Sequence, residues 1–250
     1  MADGPVLLVT GGSRGIGAAV CILAARQGWR VAVNFVRNGE AAQSVVDRIK
    51  AMGGEALAVQ GDASEEEDIA AIYDVVDNAF GRLDGLVNNA GIIGMPVRVD
   101  EMSRERIERI FKVNVLGPMR VAAEAVKRMS TRHGGEGGVI VNLSSAAAML
   151  GSPGEFVDYA ASKGAIDVFT LGLAKEVAEE GIRVNAVRPG LIHTDIQADA
   201  GNPNRAHDLA HAVPMKRAGE PEEVASTIVF LLSNEASYVT GAVLNVTGGR

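Results

Sequence analysis

The sequence predicts an α/β fold: a doubly wound parallel β-sheet of about seven strands with helices on both faces, in a single domain over residues 1–250. Three observations predict it. Short runs of branched apolar residues alternate with longer helical stretches along the whole chain, the order that right-handed strand–helix–strand crossovers impose. The strand candidates are continuous apolar runs rather than alternating ones, as in strands buried on both faces. Thirty glycines set against few aromatic residues suit many tight strand-to-helix turns.

PVLLVT (5–10) is the first strand; it runs straight into TGGSRGIG (10–17) and the helical stretch IGAAVCILAARQG (16–28). RVAVNF (30–35) is the second strand and GEAAQSVVDRIKAMG (39–53) the second helix. EALAV (55–59) precedes SEEEDIAAIYDVVDNAFG (64–81), where Ser64 and Glu67 have the spacing of a capping box. DGLV (84–87) is followed by a helical region over 103–132, and GVIVNL (138–143) by one over 157–179. IRVNAV (182–187) and AVLNV (242–246) complete the sheet. Between them, 189–223 is a long irregular segment with three of the four histidines. Long loops in compact domains are usually lids or binding loops, so this one is expected to cover a substrate. No repeat, low-complexity stretch or linker divides the chain.

Composition excludes several functions. A formal net charge of −7 argues against a nucleic-acid partner, which needs clustered positive charge. Hydrophobic content is 47%, yet no apolar run approaches the roughly 18 residues of a membrane span. The start, MADGPVLLVTGG, lacks a basic leader and a small-residue cleavage site. One cysteine, Cys21, rules out an internal disulfide and a cysteine zinc cluster. These features together predict a cytoplasmic protein.

The turn after the first strand is the first candidate site. Gly11, Gly15 and Gly17, with Ser13, Arg14 and Ile16 between them, would bring backbone N–H groups and a helix N-terminus against a pyrophosphate. The spacing departs from G-x-G-x-x-G, and a purely structural turn is the bland alternative. An NAD site usually carries an acidic residue about 20 residues on, gripping the ribose 2′-hydroxyl. That region here reads Asn34, Phe35, Val36, Arg37. Arg14 and Arg37 could instead hold a 2′-phosphate by charge-assisted hydrogen bonds, so NADP(H) is the expected cofactor.

Seven motifs in order resemble the short-chain dehydrogenase/reductase family, in particular bacterial NADP(H)-dependent members, over essentially the whole chain. They are TGGSRGIG (10–17), GDAS with Asp62, NNAG (88–91), KVNV with Asn114, NLSS (142–145), YAASK (159–163) and RPGLIHT (188–194). The closing SYVTGAVLNVTGG (237–249) resembles the family's last strand and oligomer contact, with Thr247 where relatives usually carry aspartate. The resemblance implies a Rossmann-like fold and a cofactor map. Asp62 and Ala63 would contact the adenine, and Asn89, Ala90 and Gly91 would pass beneath the adenosine ribose. Pro189, Gly190, Ile192 and Thr194 would hold the nicotinamide carboxamide and the neighbouring phosphate.

The resemblance also implies a catalytic set of Ser145, Tyr159, Lys163 and Asn114. Residues four apart on a helix share a face, with Cβ atoms about 5–6 Å apart. Free tyrosine has a pKa near 10; a nearby ammonium favours the phenolate. Lys163 would do this and also bind the nicotinamide ribose, leaving Tyr159 to pass a proton to or from the substrate oxygen. The family's serine precedes its tyrosine at a nearly fixed spacing. Ser145 fits it better than Ser144 and would bind the substrate oxygen as an oxyanion donor does; Ser144 reads as structural. Asn114 would fix a water linking Lys163 to solvent through its carbonyl. His193, His207 and His211 lack a tight ligand spacing, so no metal is expected. Met149 and Met215 read as gap-fillers, with the possibility that some methionines line the substrate pocket.

The expected function is hydride transfer between NADP(H) and a carbonyl or secondary alcohol. Rivals within the family are a 3-oxoacyl-carrier-protein reductase and a sugar 1-dehydrogenase. Glu179 and Glu180 would repel an acidic carrier protein, and Lys127, Arg128 and Arg132 offset that objection. A non-catalytic NADP(H)-binding sensor could keep the glycine turn but would not need Ser145, Tyr159 and Lys163 together. The large apolar faces over 103–132 and 157–179 predict, by resemblance, a homodimer or homotetramer.

Overall fold

The computed structural model describes residues 4–250; residues 1–3, part of the start read as leaderless, lie outside the described residues. Seven strands, β1 (Val6–Val9), β2 (Arg30–Phe35), β3 (Ala56–Gln60), β4 (Gly85–Asn88), β5 (Gly138–Leu143), β6 (Ile182–Pro189) and β7 (Val243–Val246), form one parallel sheet. Their order is β3-β2-β1-β4-β5-β6-β7. The first two-strand crossover leaves β1 in one direction and the later ones leave in the other. The order therefore reverses between β1 and β4, where open α/β sheets bind ligands beyond their strand ends.

The continuous apolar runs have a direct cause in β1. Leu7 and Val9 enter one core and Val6 and Leu8 the other, because successive strand residues point to opposite faces. Over the first face lie α1 (Gly15–Arg26), α2 (Gly39–Ala51) and the last helix, contributing Val20, Val45 and Ile228 among others. Over the second lie α3 (Glu66–Phe80), a broken helix through α4 (Arg104–Phe111) and α5 (Gly117–Met129), and a long helix before β6.

Four local expectations need correction. The helix expected over 103–132 is interrupted by a π turn, Lys112–Leu116, that joins α4 to α5. Ser64 does not cap α3: its N–H and hydroxyl both donate to Asp62 Oδ1, at 2.9 and 2.7 Å, and Glu65 occupies the cap position. A short helix, α6 (Ala147–Leu150), precedes α7 (Val157–Glu176). The 189–223 segment is not wholly irregular. It contains α8 (Ile196–Asp199) and α9 (Arg205–Asp208), and it yields to α10 (Pro221–Leu232) at its end. Its own small core of Leu191, Ala206, Val213 and Ala218 gives it the packing that a bare loop lacks.

Candidate active site

The turn after β1 is held from three sides. Gly11 has φ +62° and donates to Asn34 Oδ1 at 3.3 Å, while Gly12 donates to the Asn34 carbonyl at 2.8 Å. Asn34 is fully buried and also ties β2 to β3 by donating to the Val59 and Gly61 carbonyls. Thr10 Oγ1 accepts the Asn89 and Ala90 N–H groups at 3.0 Å each. Asn89 Nδ2 returns bonds of 2.9 Å to the Thr10 and Gly11 carbonyls. A Cβ on Gly17 would overlap the Gly11 carbonyl oxygen, so only glycine lets α1 start this close to the turn. Thr10 and Asn34 were not singled out in the sequence, because their work is to hold a backbone that the glycines alone made conspicuous.

Gly15, at φ +52°, faces Thr194; a Cβ there would lie 3.4 Å from Thr194 Cγ2. The structure thus brings the glycine turn and the 189–194 segment to one place. A cleft of about 420 Å³ opens beside them, lined by Ser13, Arg14, Gly15 and Thr194 among others, and stops short of Tyr159. Helix N-terminal amides, a chain without side-chain bulk and a facing hydroxyl fit a dinucleotide pyrophosphate. Pro189 ends β6 and its carbonyl accepts the Ala146 N–H at 2.9 Å. Gly190 packs so closely on Thr247 that a Cβ would stand 2.7 Å from its Cα. Ile192 is buried and forms a bridge with Gly219. Asp62 holds Ser64 as described, and Ala63 is buried against Gly117.

The two arginines differ. Arg37 is exposed and pairs with no carboxylate among the described residues. Arg14 lies 2.8 Å from Asp199 and 3.8 Å from Asp195, both on the segment carrying α8. The glycine turn is therefore joined to the 189–223 segment by an exposed ion pair.

At the C-terminal ends of β4 and β5, α7 brings Tyr159 and Lys163 together, with Lys163 Nζ 5.7 Å from the centre of the Tyr159 ring. Lys163 is 4% exposed and donates to the Leu143 carbonyl at 2.8 Å. Burial lowers its pKa to about 8, with Asp167 partly opposing. Burial raises that of Tyr159, and the nearby Ser145 hydroxyl works against the rise. Ser144 turns the other way: it is buried and donates to the Lys163 carbonyl at 3.2 Å. Asn114 lies in the π turn, fully buried, and donates to Ser162 Oγ at 3.1 Å. Its side-chain Oδ1 accepts the Ile92 N–H at 2.8 Å. A Cβ on Gly91 would stand 3.4 Å from both Asn114 Oδ1 and Lys163 Nζ, so Gly91 and Ala90 lie between the two glycine-lined ends of the site. Asp158, beside the tyrosine, and Arg106 on α4 also converge here and escaped the sequence reading; a carboxylate directly preceding YAASK was the available signal.

The histidines do not converge. His193 Nε2 lies 3.9 Å from Glu220, His207 Nδ1 3.6 Å from Asp208, and His211 Nδ1 2.9 Å from the Asp208 carbonyl. Among the described residues no group of three side chains could hold a metal ion. Met149 is exposed on α6, and Met215 packs beside Gly248.

A family model described as enoyl-(acyl carrier protein) reductase matches residues 11–250. An uncharacterized oxidoreductase of Escherichia coli, YgfF, is 51% identical over 98% of this chain and 99% of its own. The chain belongs to the short-chain dehydrogenase/reductase family. Two further members are NADPH-dependent aldehyde reductase 1 of Arabidopsis thaliana, 40% identical over 98% of this chain and 86% of its own, and glucose 1-dehydrogenase 2 of Bacillus subtilis, 39% identical over 98% and 94%. A solved short-chain dehydrogenase/reductase of Serratia marcescens superposes with a TM-score of 0.90 at 32% identity, covering 99% of this chain and 98% of that one. The chain is accordingly an oxidoreductase acting on CH–OH or C=O groups, and short-chain dehydrogenase/reductases work with a nicotinamide cofactor.

Proposed function

We propose that this short-chain dehydrogenase/reductase is an NADP(H)-dependent carbonyl reductase or secondary-alcohol dehydrogenase whose chemistry rests on Ser145, Tyr159, Lys163 and Asn114. The observation that carries the proposal is the buried Lys163 ammonium, 5.7 Å from the centre of the Tyr159 ring, with the Ser145 hydroxyl acting on the same phenol. The bound nicotinamide supplies or accepts the hydride. Ser145 holds the substrate oxygen where negative charge develops, and Tyr159 delivers the proton that completes the alcohol, or removes it in reverse. Lys163, cationic below its pKa of about 8, favours the phenolate left behind. Asn114 braces Ser162 and the Ile92 backbone, and so fixes the helix turn between tyrosine and lysine. Its side-chain oxygen accepts one N–H there and keeps a second lone pair, so an Asn114 carbonyl can still hold the water that links Lys163 to solvent.

Arg37 and Arg14 are the proposed grip on the 2′-phosphate, with no carboxylate at the end of β2 to bind a ribose diol in its place. The glycine turn and Thr194 hold the pyrophosphate; Asp62 and Ala63 flank the adenine; Asn89, Ala90 and Gly91 line the ribose path; Pro189, Gly190 and Ile192 carry the carboxamide.

Consumption of NADPH with a panel of aldehydes, ketones, diketones, quinones and β-keto thioesters, and reduction of NADP+ by glucose, each run beside Tyr159→Phe, test this reading. Turnover on a carbonyl that disappears in the variant is expected; turnover that survives it rejects Tyr159 as the proton carrier. The carrier-protein alternative is weakened by charge. Arg128 is committed to Asp77 at 2.8 Å and Glu124 at 3.0 Å, and Lys127 to Glu124 at 2.6 Å, so little free positive charge remains there for an acidic partner. Sensor function alone would leave the Ser145–Tyr159–Lys163 grouping without a use.

Among the described residues no helix is long and apolar enough to cross a membrane, and a cytoplasmic enzyme is proposed. Leu116, Val168 and Leu171 are exposed on the α4–α5 and α7 surfaces, at 57%, 70% and 42%, which supports a homodimer or homotetramer through these helices. Light scattering at the mass of a monomer would reject that assembly.

A further inference from the structure

A buried ion pair lies directly behind the proposed proton carrier. Asp158, whose side chain is 2% exposed, sits in the first turn of α7. Its Oδ2 accepts Arg106 Nε at 2.7 Å and its Oδ1 accepts Arg106 Nη2 at 3.2 Å. The same Oδ1 accepts the backbone N–H of Tyr159 at 2.8 Å. The third guanidinium nitrogen of Arg106, Nη1, donates to the Met95 carbonyl, in the loop after β4. The guanidinium lies flat enough on that loop that a Cβ on Gly94 would stand 2.8 Å from its Cζ. One side chain therefore joins α4, the loop flanking the site and the residue beside Tyr159.

A carboxylate buried without a partner is strongly destabilising, and this one also holds the backbone N–H of the proposed proton carrier. A paired arginine removes that handicap and keeps the hydrogen bond that fixes the first turn. We propose that Arg106 is a positioning residue for the reaction: it pairs with Asp158, locks the start of α7 against the loop at Met95, and so keeps Tyr159 aimed. This rests on the reading of Tyr159 as the proton carrier. A buried ion pair with a purely structural role is the alternative.

The charged groups around Tyr159 are few. Lys163 and Asp158 share its helix, Arg106 reaches Asp158 from α4, and Asp167 one turn beyond Lys163 pairs with Arg188 of β6 at 2.8 Å. Tyr73 is fully buried with its hydroxyl bonded to the Val121 carbonyl, and Tyr238 is fully exposed. The ultraviolet phenolate absorbance of Tyr159 is thus isolated by subtracting the Tyr159→Phe protein, without cofactor or substrate.

The test titrates that absorbance in the wild type, Arg106→Ala, Asp158→Asn and the double variant, beside steady-state kinetics. Breaking the pair from either side is expected to loosen the first turn of α7 and let water reach the buried phenol, so the tyrosine titration should move down in both single variants and in the double variant. Arg106→Ala should lose roughly a hundredfold in kcat, the scale of a displaced catalytic group, with the dissociation constant for NADPH unchanged. Arg106→Lys, which keeps charge but not the fork, should recover part of it. A titration unmoved in both Arg106→Ala and Asp158→Asn, or a wild-type kcat in Arg106→Ala, would overturn the proposal. If Arg106→Ala does not fold, Asp158→Asn against wild type decides: an unmoved titration overturns it. Turnover surviving in Tyr159→Phe would reject the proton-carrier reading itself, a separate failure.

Discussion

Adjacent serines at the end of β5 do opposite work. Ser144 donates inward to the Lys163 carbonyl, whereas Ser145 is half-buried, accepts the Ala147 N–H at 3.1 Å and reaches Tyr159. Ser145→Ala should therefore lower kcat by about 10²–10³, the range for loss of one oxyanion donor. Ser144→Ala should cost about 1 kcal/mol of stability for one lost hydrogen bond and leave kcat nearly intact. Rate assays and urea melts of both variants separate the two, and the reverse ranking would move the substrate contact to Ser144. Arg37 supplies a second prediction at this scale. A charge-assisted hydrogen bond contributes about 1.5–3 kcal/mol, so Arg37→Ala should weaken NADPH by that amount and NADH hardly at all. Equal weakening of both in a fluorescence titration would show that Arg37 does not read the 2′-phosphate. Arg14 is less clean, because its removal also frees Asp199 and the segment above the site.

The phosphate turn shows how a local backbone demand becomes an element. Gly17 cannot accept a side chain without displacing the Gly11 carbonyl or Asn89 Nδ2, the latter 2.6 Å from the added Cβ. Gly17→Ala should consequently push α1 off the ends of β1 and β4, lowering both melting temperature and affinity for either dinucleotide. Gly91→Ala, whose Cβ would meet its neighbours at 3.4 Å, should melt near the wild type. A calorimetric scan finding the two equally stable would contradict the tight-turn account. The same elements explain what was legible in the sequence. Strands such as GVIVNL declare themselves because both faces must be apolar, and YAASK because it stands in order among motifs that resemble the short-chain dehydrogenase/reductase family. The π turn left no such mark: KVNV reads as ordinary helix, and although the family resemblance picked out Asn114, only the structure shows it bonded to Ile92 and Ser162. Nor did α8 and α9, single turns that depend on a core of Leu191, Ala206, Val213 and Ala218 contributed by distant parts of the segment. Arg106 was invisible for the related reason that its partner lies 52 residues away.

For the molecule as a whole, the candidate site is a source of instability as well as activity. Lys163 has an ordinary pKa of 10.5 when unfolded and about 8 in the fold, lowered by burial. Between those values the unfolded chain binds the extra proton, so stability contributed at this position rises as pH increases from about 8 to 10.5. Below that window the folded protein bears the full penalty of a buried ammonium, about 3 kcal/mol from the size of the shift. Other groups titrate there too; Tyr159, held protonated by burial, works in the opposite sense once the free phenol ionises. Lys163→Met removes the lysine's contribution while keeping a side chain of similar length. It also leaves the Leu143 carbonyl without its buried donor, a loss of about 1–3 kcal/mol that does not vary with pH. The difference in unfolding free energy, wild type minus variant, should thus climb with pH by about 3 kcal/mol across the window, whatever its offset at neutrality. The variant should be inactive throughout. Urea denaturation of both proteins at a series of pH values measures this difference directly. A flat difference would mean that Lys163 keeps an ordinary pKa in the fold, and the cation thought to favour the Tyr159 phenolate would then be present well above neutral pH rather than fading near pH 8. The pH dependence of stability and that of turnover would have to be explained separately, instead of by one buried lysine.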